Sequence, residues 1–416
     1  MWPRKQLDIG WRDLAFGLIQ VGRSRTFPST PAVVGDGWMP ADEAVVTLSV
    51  RTGWDLLLTA LALPAGSEVL VSAVTIADMV RIIEHHGLVP VAVDVDATAL
   101  EIDIDQLERF ITPQTRLILI AHLFGSRMDM ASITELARRY DLLVVEDCAQ
   151  AFVGLEYAGH AASDCVMFSF GPIKTATALG GAVIRVRDER LRERMEALQR
   201  GYPLQNHWSY LKRVIKYIAF RVVSVPGIYG QLMKAMQFFR IEYDRALANA
   251  AHSFGADKLF VQLRQRPCAA LARMLQRRIC GFDRAAAARL LRRRERGDAL
   301  PQTLPAGMVV GDRNNTHTYW VLPIRVANAD EVIATLRAAG FDATARSSMI
   351  AVPRKSGTAS ISESARWLQD VVYLPSSDHM SEAEWRRLIT ILMQVARLPS
   401  PRIERELVTP RGVLRE

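Results

Sequence analysis

The sequence predicts an α/β protein, with a large domain on a mostly parallel mixed sheet and a smaller α+β C-terminal domain. Two observations carry the prediction. Between residues 45 and 147, short β-branched or apolar runs alternate with helical stretches, the pattern of strands covered by helices on both faces. At or just past the ends of these runs stand Gly53, Thr75, Asp147 and Ser169, and ligands in open parallel sheets collect beyond the carboxyl ends of the strands.

Each element follows from local pattern. Residues 1–40, with Pro and Gly scattered from Pro28 to Pro40, read as an irregular N-terminal wrap over the main domain. Val45 to Val50 is strand-like until Thr52-Gly53 breaks it, and Trp54 to Leu63 is an apolar helical stretch ended by Pro64. Glu68 to Val71 resumes a strand, Ala77 to His86 a helix and Val89 to Val93 a strand. A helix from Ile104 to Phe110 precedes a strand from Arg116 to Ala121. A further helix, Ile133 to Tyr140, feeds a run from Leu142 to Val145 that ends on Glu146 and Asp147. Val166 to Phe170 is the next apolar run, and Gly180-Gly181 precedes another. This large domain spans residues 41–205.

Residues 206–250 read as a basic amphipathic insertion, in which Leu211, Val214, Ile215, Ile218 and Val222 recur at helical spacing and Pro226-Gly227 splits the stretch. Residues 251–300 form a helical connection, with a long basic helix or helix pair from Leu259 to Gly297. Residues 301–416 form the small domain. Its strand-like run starts at Thr318 and continues to Val326, Asp330 to Gly340 is a helix, and Val371 to Leu374 is a strand. Its last helix, Ser381 to Leu398, opens on a serine cap with Glu384 three residues on.

Composition narrows the function. Half of the 416 residues are hydrophobic and 23% are charged, an ordinary globular balance. Cys148, Cys165, Cys268 and Cys280 show no CxxC pairing, so neither a disulfide framework nor a metal site is expected, and a reducing, cytoplasmic setting fits. No apolar run has the length of a secretory signal core near the start or of a membrane span anywhere. The net charge of +8 concentrates after Asn206 and in Arg289 to Arg296. Such charge suits nucleic acid, an anionic membrane or a phosphorylated substrate. No nucleic-acid module is present and the arginine run reads as a solvated helix face, so nucleic acid is not expected as a partner.

The chemistry lies between Leu142 and Val186. Asp147 ends one strand, and a lone lysine, Lys174, follows the next. Pyridoxal 5'-phosphate requires such a pair. A lysine amine forms a Schiff base with the cofactor aldehyde, and a carboxylate keeps the pyridine nitrogen protonated so that the ring withdraws electrons.

These residues stand in phrases that resemble the DegT/StrS-type sugar aminotransferases, pyridoxal-phosphate enzymes of fold-type I. Glu146-Asp147-Cys148-Ala149-Gln150 is similar to the family's "EDxAQ", and Phe168-Ser169-Phe170 followed by Lys174 is similar to its "FSF" and lysine. Gly180-Gly181, Val89-Pro90-Val91 with Asp94-Val95-Asp96, and His122-Leu123-Phe124-Gly125 match further family phrases. The resemblance runs from Val45 to Val186, resumes from Arg264 to Arg296 and covers Thr318 to Leu388.

The resemblance implies that Lys174 is the Schiff-base lysine and the base that moves the substrate proton, and that Asp147 pairs with the pyridine nitrogen. Gln150 would approach the cofactor's phenolic oxygen, and Ser169 would donate to its phosphate. Thr52 and Gly53, read as a strand-to-helix turn, would offer backbone N–H groups to the same phosphate. A ping-pong transfer from an amino-acid donor to a keto-sugar, usually nucleotide-linked, follows, in a homodimer whose sites are lined by both subunits.

The chain also departs from the family. Trp54 follows Gly53 where a hydroxyl donor is usual, and Ile76 stands where an aromatic side chain stacks on the ring. Both are counted here among the cofactor-binding positions. Thr175 replaces an asparagine and Leu179 a glutamate. Arg346 and His317 are candidate substrate contacts, Arg346 for a carboxylate or phosphate. The segment from Trp208 to Arg245 exceeds the usual connection. It either lies in a membrane interface, admitting a lipid-linked or long-chain carbonyl substrate, or packs on the subunit body or a dimer contact. Two other readings compete. Dehydratases of the family replace the lysine by histidine, which Lys174 opposes. A non-catalytic regulator that keeps the fold draws on Trp54, Ile76 and Leu179.

Overall fold

The structure is a computed structural model that describes residues 1–4, 7–23, 26–28, 30–35, 37–239, 259–282, 284–353, 362–377 and 379–398. Its centre is a seven-stranded sheet of β1 (Ala44–Thr47), β2 (Glu68–Ser72), β4 (Val89–Val93), β5 (Thr115–Ala121), β6 (Leu143–Asp147), β7 (Cys165–Ser169) and β8 (Ala182–Val186). The order is β1-β8-β7-β6-β5-β2-β4. Strands β4, β2, β5, β6 and β7 pair in parallel, and β8 runs antiparallel to both β7 and β1. This is the mostly parallel mixed sheet that the sequence predicts.

Side-chain alternation explains why these runs are apolar throughout. In β5, Leu117 and Leu119 feed one hydrophobic cluster while Ile118 and Ile120 feed another on the opposite face. In β7, Cys165 and Met167 point one way, Val166 and Phe168 the other. With helices on both faces, neither parity of a strand meets water. The covering helices of this region are α3 (Val50–Leu61), α4 (Ala77–His85), α5 (Ile104–Arg109), α6 (Met130–Arg139) and α7 (Glu189–Arg200).

The N-terminal region corrects the expectation of an irregular wrap. It carries α1 (Trp11–Arg23) and a short α2 (Thr30–Val34). Helix α1 presses closely on its neighbours, because a Cβ on Gly17 would lie 2.8 Å from Met274 and 3.4 Å from Val214. The insertion forms two helices, α8 (His207–Val223), capped by the Asn206 side chain, and α9 (Pro226–Phe238). The break falls at Pro226, whose fixed φ and missing N–H suit a first helical turn. The part of the insertion from residue 240 to 250 lies outside the described residues. Among its described residues the basic connection is three helices rather than one or two: α10 (Leu259–Leu263), α11 (Ala269–Cys280) and α12 (Arg284–Ala299).

The C-terminal region has a hydrophobic cluster of its own, from Leu300 to Leu392. It contains β9 (Leu322–Arg325), β11 (Val371–Leu374), α13 (Ala329–Ala338), α14 (Glu363–Gln369) and α15 (Glu382–Val395). The strand expected from Thr318 begins only at Leu322. Ser381 caps α15 by accepting the Glu384 N–H. One further strand, β10 (Met349–Ala351), pairs antiparallel with β3 (Val74–Ile76) of the large domain. That pairing carries the C-terminal region to the carboxyl end of β2.

Candidate active site

Asp147 is the last residue of β6 and is buried. Its Oδ1 accepts the Ala149 N–H at 2.9 Å. Burial raises its pKa, and the Ala149 hydrogen bond and the positive charge of Lys174 pull the other way without cancelling that rise. A buried carboxylate of this kind is stabilised by a cation placed against it.

Its neighbour Glu146 projects from the opposite face of β6 into a saturated network. It accepts from His122 Nε2 at 2.9 Å, from the Tyr157 hydroxyl and from the His160 N–H at 2.8 Å. Burial alone would raise Glu146, but the hydrogen bonds of its partners, His122 first, outweigh it and bring its pKa to about 2. His122 Nδ1 accepts the Met128 N–H, so the ring's proton sits on Nε2 and points at Glu146. Donor atoms of His122, Glu146 and Cys148 lie within 4.8 Å of one another, close enough for a metal. Both imidazole nitrogens are engaged by protein groups, so the arrangement is complete as a hydrogen-bond network.

Gln150 Oε1 accepts the Phe124 N–H at 2.9 Å, and its Nε2 lies 3.6 Å from Met349 Sδ. Met349 is paired with Ile76 across β10 and β3. Gln150 and Ile76 therefore share one wall, built jointly by the two regions.

Ser169 ends β7, and its Oγ accepts the Gly171 N–H at 3.4 Å. Lys174 follows in a turn closed by its own N–H to the Gly171 carbonyl at 3.0 Å. Its Nζ stands 4.1 Å from the centre of the Trp320 ring, while the Trp320 indole N–H donates to the Ile173 carbonyl at 2.9 Å. After the lysine the chain takes left-handed conformations at Ala176 (φ 53°) and Leu179 (φ 64°). Each such non-glycine residue costs about 1–3 kcal/mol. Hydrogen bonds hold the loop there: Ala178 and Gly180 N–H to the Phe170 carbonyl at 3.0 Å, and Ala176 N–H to Asp8 Oδ2 at 2.6 Å. Leu179 is buried in the core, so its departure from the family's glutamate is a packing change. At Gly181 (φ 83°) a Cβ would stand 2.5 Å from Leu275, which accounts for the second glycine.

The phosphate turn is corrected. Helix α3 begins at Val50, four residues before the expected Trp54, and Ser49 is its cap. Ser is among the favoured N-cap residues. The Thr52 N–H donates to Ser49 Oγ, the Thr52 hydroxyl to the Leu263 carbonyl at 3.0 Å, and the Gly53 N–H to the Ser49 carbonyl. Thr52 and Gly53 thus spend their donors inside the fold. The N–H groups at the mouth of the helix are those of Val50 and Arg51. Gly53 has a packing reason instead, since a Cβ there would meet the Ile184 side chain at 2.5 Å. Trp54 is fully buried, with its indole N–H on the Met79 carbonyl at 3.2 Å. It is a core side chain.

His317 is also displaced from the expected role. It is buried, stacks on Tyr319 at 4.0 Å between ring centres, and accepts the Tyr319 N–H at Nδ1. Burial, helped by the charge of Arg293, lowers its pKa to about 3, so the ring is neutral. Arg346 is exposed on the segment that enters β10, three residues before Met349. Arg264 grips the buried Asp55 with two hydrogen bonds of 2.9 and 3.0 Å, and His86 holds the same carboxylate.

Beside Lys174 opens a cavity of about 750 Å³. Lys174, Ile173 and Trp320 form one wall, the N-terminal segment with Asp8 and Trp11 another, and Arg221, Arg278, Arg289 and Arg293 much of the rest. Asp8 Oδ1 pairs with Arg289 at 3.0 Å, and Asp13 Oδ2 with Arg278 at 2.6 Å. Cations outnumber acids in this lining. Sequence reasoning missed Ser49, Asp8 and Trp320. Ser49 had a signal, a capping residue at the end of a strand-like run, whereas Asp8 and Trp320 arrive by tertiary folding alone.

Residues 38–215 match the model of the DegT/DnrJ/EryC1/StrS aminotransferase family. A GDP-perosamine synthase of Caulobacter vibrioides is 37% identical over 190 residues, covering 45% of this chain and 50% of the relative. A UDP-4-amino-4-deoxy-L-arabinose–oxoglutarate aminotransferase of Shewanella sediminis is 35% identical over 161 residues, covering 38% and 41%. The chain thus spans about half the length of the curated relatives it matches. The fold likeness extends further. The aminotransferase TlmJ from Streptoalloteichus hindustanus superposes with a TM-score of 0.67 at 19% identity, covering 95% of this chain and 98% of the other. Helicobacter pylori PseC superposes with a TM-score of 0.68 at 14% identity, covering 94% and 98%. The protein has the fold of the fold-type I aminotransferases.

Proposed function

We propose, from the match of residues 38–215 to the model of the DegT/DnrJ/EryC1/StrS aminotransferase family, that the protein is a pyridoxal-phosphate-dependent transaminase. It would move an amino group from an amino-acid donor to a keto-sugar, in two half-reactions at one site. The observation that carries this reading is Lys174, held on a strained loop after β7, with its charge acting on the buried Asp147 at the end of the adjacent β6.

The residues present fit the cofactor. Asp147, raised by burial, is suited to a protonated pyridine nitrogen. Ile76 and the Met349 paired with it give an apolar wall for a ring. The mouth of α3 and the Ser169 hydroxyl give donors for a phosphate. When bound, pyridoxal phosphate supplies an aldehyde for the incoming amine and a ring that takes up electrons. The chain's residues then do the rest. Lys174 would hold the cofactor and would remove and return the proton on the substrate carbon. Asp147 would keep the ring nitrogen charged. Trp320 holds the lysine loop in register through the Ile173 carbonyl.

For the acceptor, the arginine-lined cavity beside Lys174 supports a substrate with an anionic substituent, and the names of the two relatives point to nucleotide-linked sugars. In our reading the working unit is a homodimer. The test is spectroscopic. Purified protein supplied with pyridoxal phosphate should show a visible absorbance band that glutamate or another amino donor bleaches, and Lys174→Ala should lack it. A protein that stays colourless at saturating cofactor would sink the proposal.

A further inference from the structure

We propose that α1, α8 and α9 form a face that docks on an anionic lipid bilayer. No helix of the described residues is long and apolar enough to cross a membrane, so this is surface docking. Helix α8 exposes Trp208, Ile215 and Val222, at 58%, 52% and 44% of their surface. They are spaced seven and seven residues apart, which puts them in one line along the helix. Helix α9 exposes Ile228, Leu232 and Phe239 at its surface and just past its end, at spacings of four and seven. Helix α1 exposes Trp11 and Leu18, again seven apart. Three contiguous helices that each turn an apolar line to water need a cover.

Charge identifies the cover. Between Glu196 and Glu242 there is no acidic residue, and seven lysines and arginines fall in the same interval. Lys212, Lys216 and Lys234 are exposed alongside the apolar lines. On α8 and α9, apolar lines flanked by cations without acids are the pattern of an interfacial helix on anionic lipid, and α1 adds its apolar line beside them, its Asp13 taken up by Arg277 and Arg278. A second copy of the chain is a poor cover, because a two-fold contact through this face would oppose cations with cations. The placement also has a functional sense. Trp11 of α1 and Arg221 of α8 wall the cavity beside Lys174, so a docked face would open that cavity close to the bilayer surface.

The experiment is co-sedimentation of the full chain with vesicles of phosphatidylglycerol and phosphatidylcholine, against vesicles of phosphatidylcholine alone. Binding to the anionic vesicles only is expected, falling at least tenfold in high salt. Replacing Lys212, Lys216 and Lys234 by glutamine should weaken it by about fivefold per lysine. The double variant Ile215→Ser/Val222→Ser should weaken it as well, with circular dichroism and the cofactor absorbance unchanged. The proposal is overturned if the protein sediments with neither vesicle, or if binding ignores both sets of variants. It is equally overturned if light scattering shows that the apolar variants split an oligomer while vesicle binding persists.

Discussion

Glu146 Oε2 lies 2.9 Å from His122 Nε2, and neither side chain is exposed. Because Asp147 is the next residue on β6, this buried pair fixes the strand end that presents the candidate pyridine partner. Glu146→Ala should cost about 3–5 kcal/mol, because it strands an imidazole N–H and the Tyr157 hydroxyl inside the core. Urea unfolding measures it. The sign with pH follows from a depressed carboxylate. Its stabilisation is complete above the ordinary value of about 4.3 and is lost as pH falls through about 2. A loss of stability below 1 kcal/mol would mean that the network is incidental.

Asp147 works in the opposite direction. Its pKa is raised in the fold, so without cofactor the ionised carboxylate weakens the protein at neutral pH. Asp147→Asn should therefore melt higher than the parent in the cofactor-free state at pH 7–8. The gap should shrink as pH falls through the raised value towards the ordinary one of about 3.9. The same variant should transfer amino groups at least a hundredfold more slowly. A variant that is active but less stable would contradict both roles.

Glu101 offers a second pH test, away from the site. Burial is the main cause that pushes it up to about 7, against an unfolded value of about 4.3. The fold holds its proton more tightly, so this group lowers stability as pH rises from about 4.3 to 7. Glu101→Gln should be more stable than the parent above pH 7 and equal to it near pH 4. Thermal melts across that range decide.

Gly53 separates a packing role from a cofactor role. Alanine would gain about 1 kcal/mol of helix propensity, but its Cβ would lie 2.5 Å from the Ile184 side chain. Overpacking of this kind costs about 1–3 kcal/mol. Gly53→Ala should therefore be destabilised by at most about 2 kcal/mol net, with cofactor affinity nearly unchanged once folded. A fall in cofactor affinity at full stability would restore the glycine to the phosphate site.

Much of this was readable in the residues. The run from Leu142 to Val186 shows the strand ends, the acid and the lysine, because continuous apolar strands and a lone lysine after them are local facts. The start of α3 was misplaced because Val45 to Val50 is β-branched enough to hide that Ser49 ends the strand and caps the helix. That error moved the phosphate turn to Thr52 and Gly53 and made a core tryptophan, Trp54, look like a site residue. His317 and Trp320 stand three residues apart in one loop, and only tertiary packing decides that the first is buried against Tyr319 and the second covers Lys174. Nothing in residues 1–40 announces that Asp8 would reach the Ala176 N–H.

The central claim is that one lysine of the seven in the chain carries the cofactor. Borohydride reduction of the protein loaded with pyridoxal phosphate, followed by peptide mass spectrometry, tests it directly. The phosphopyridoxyl mass should appear on the peptide containing Lys174 in near-stoichiometric yield and vanish in Lys174→Arg. A label spread over surface lysines, or retained by that variant, would contradict it.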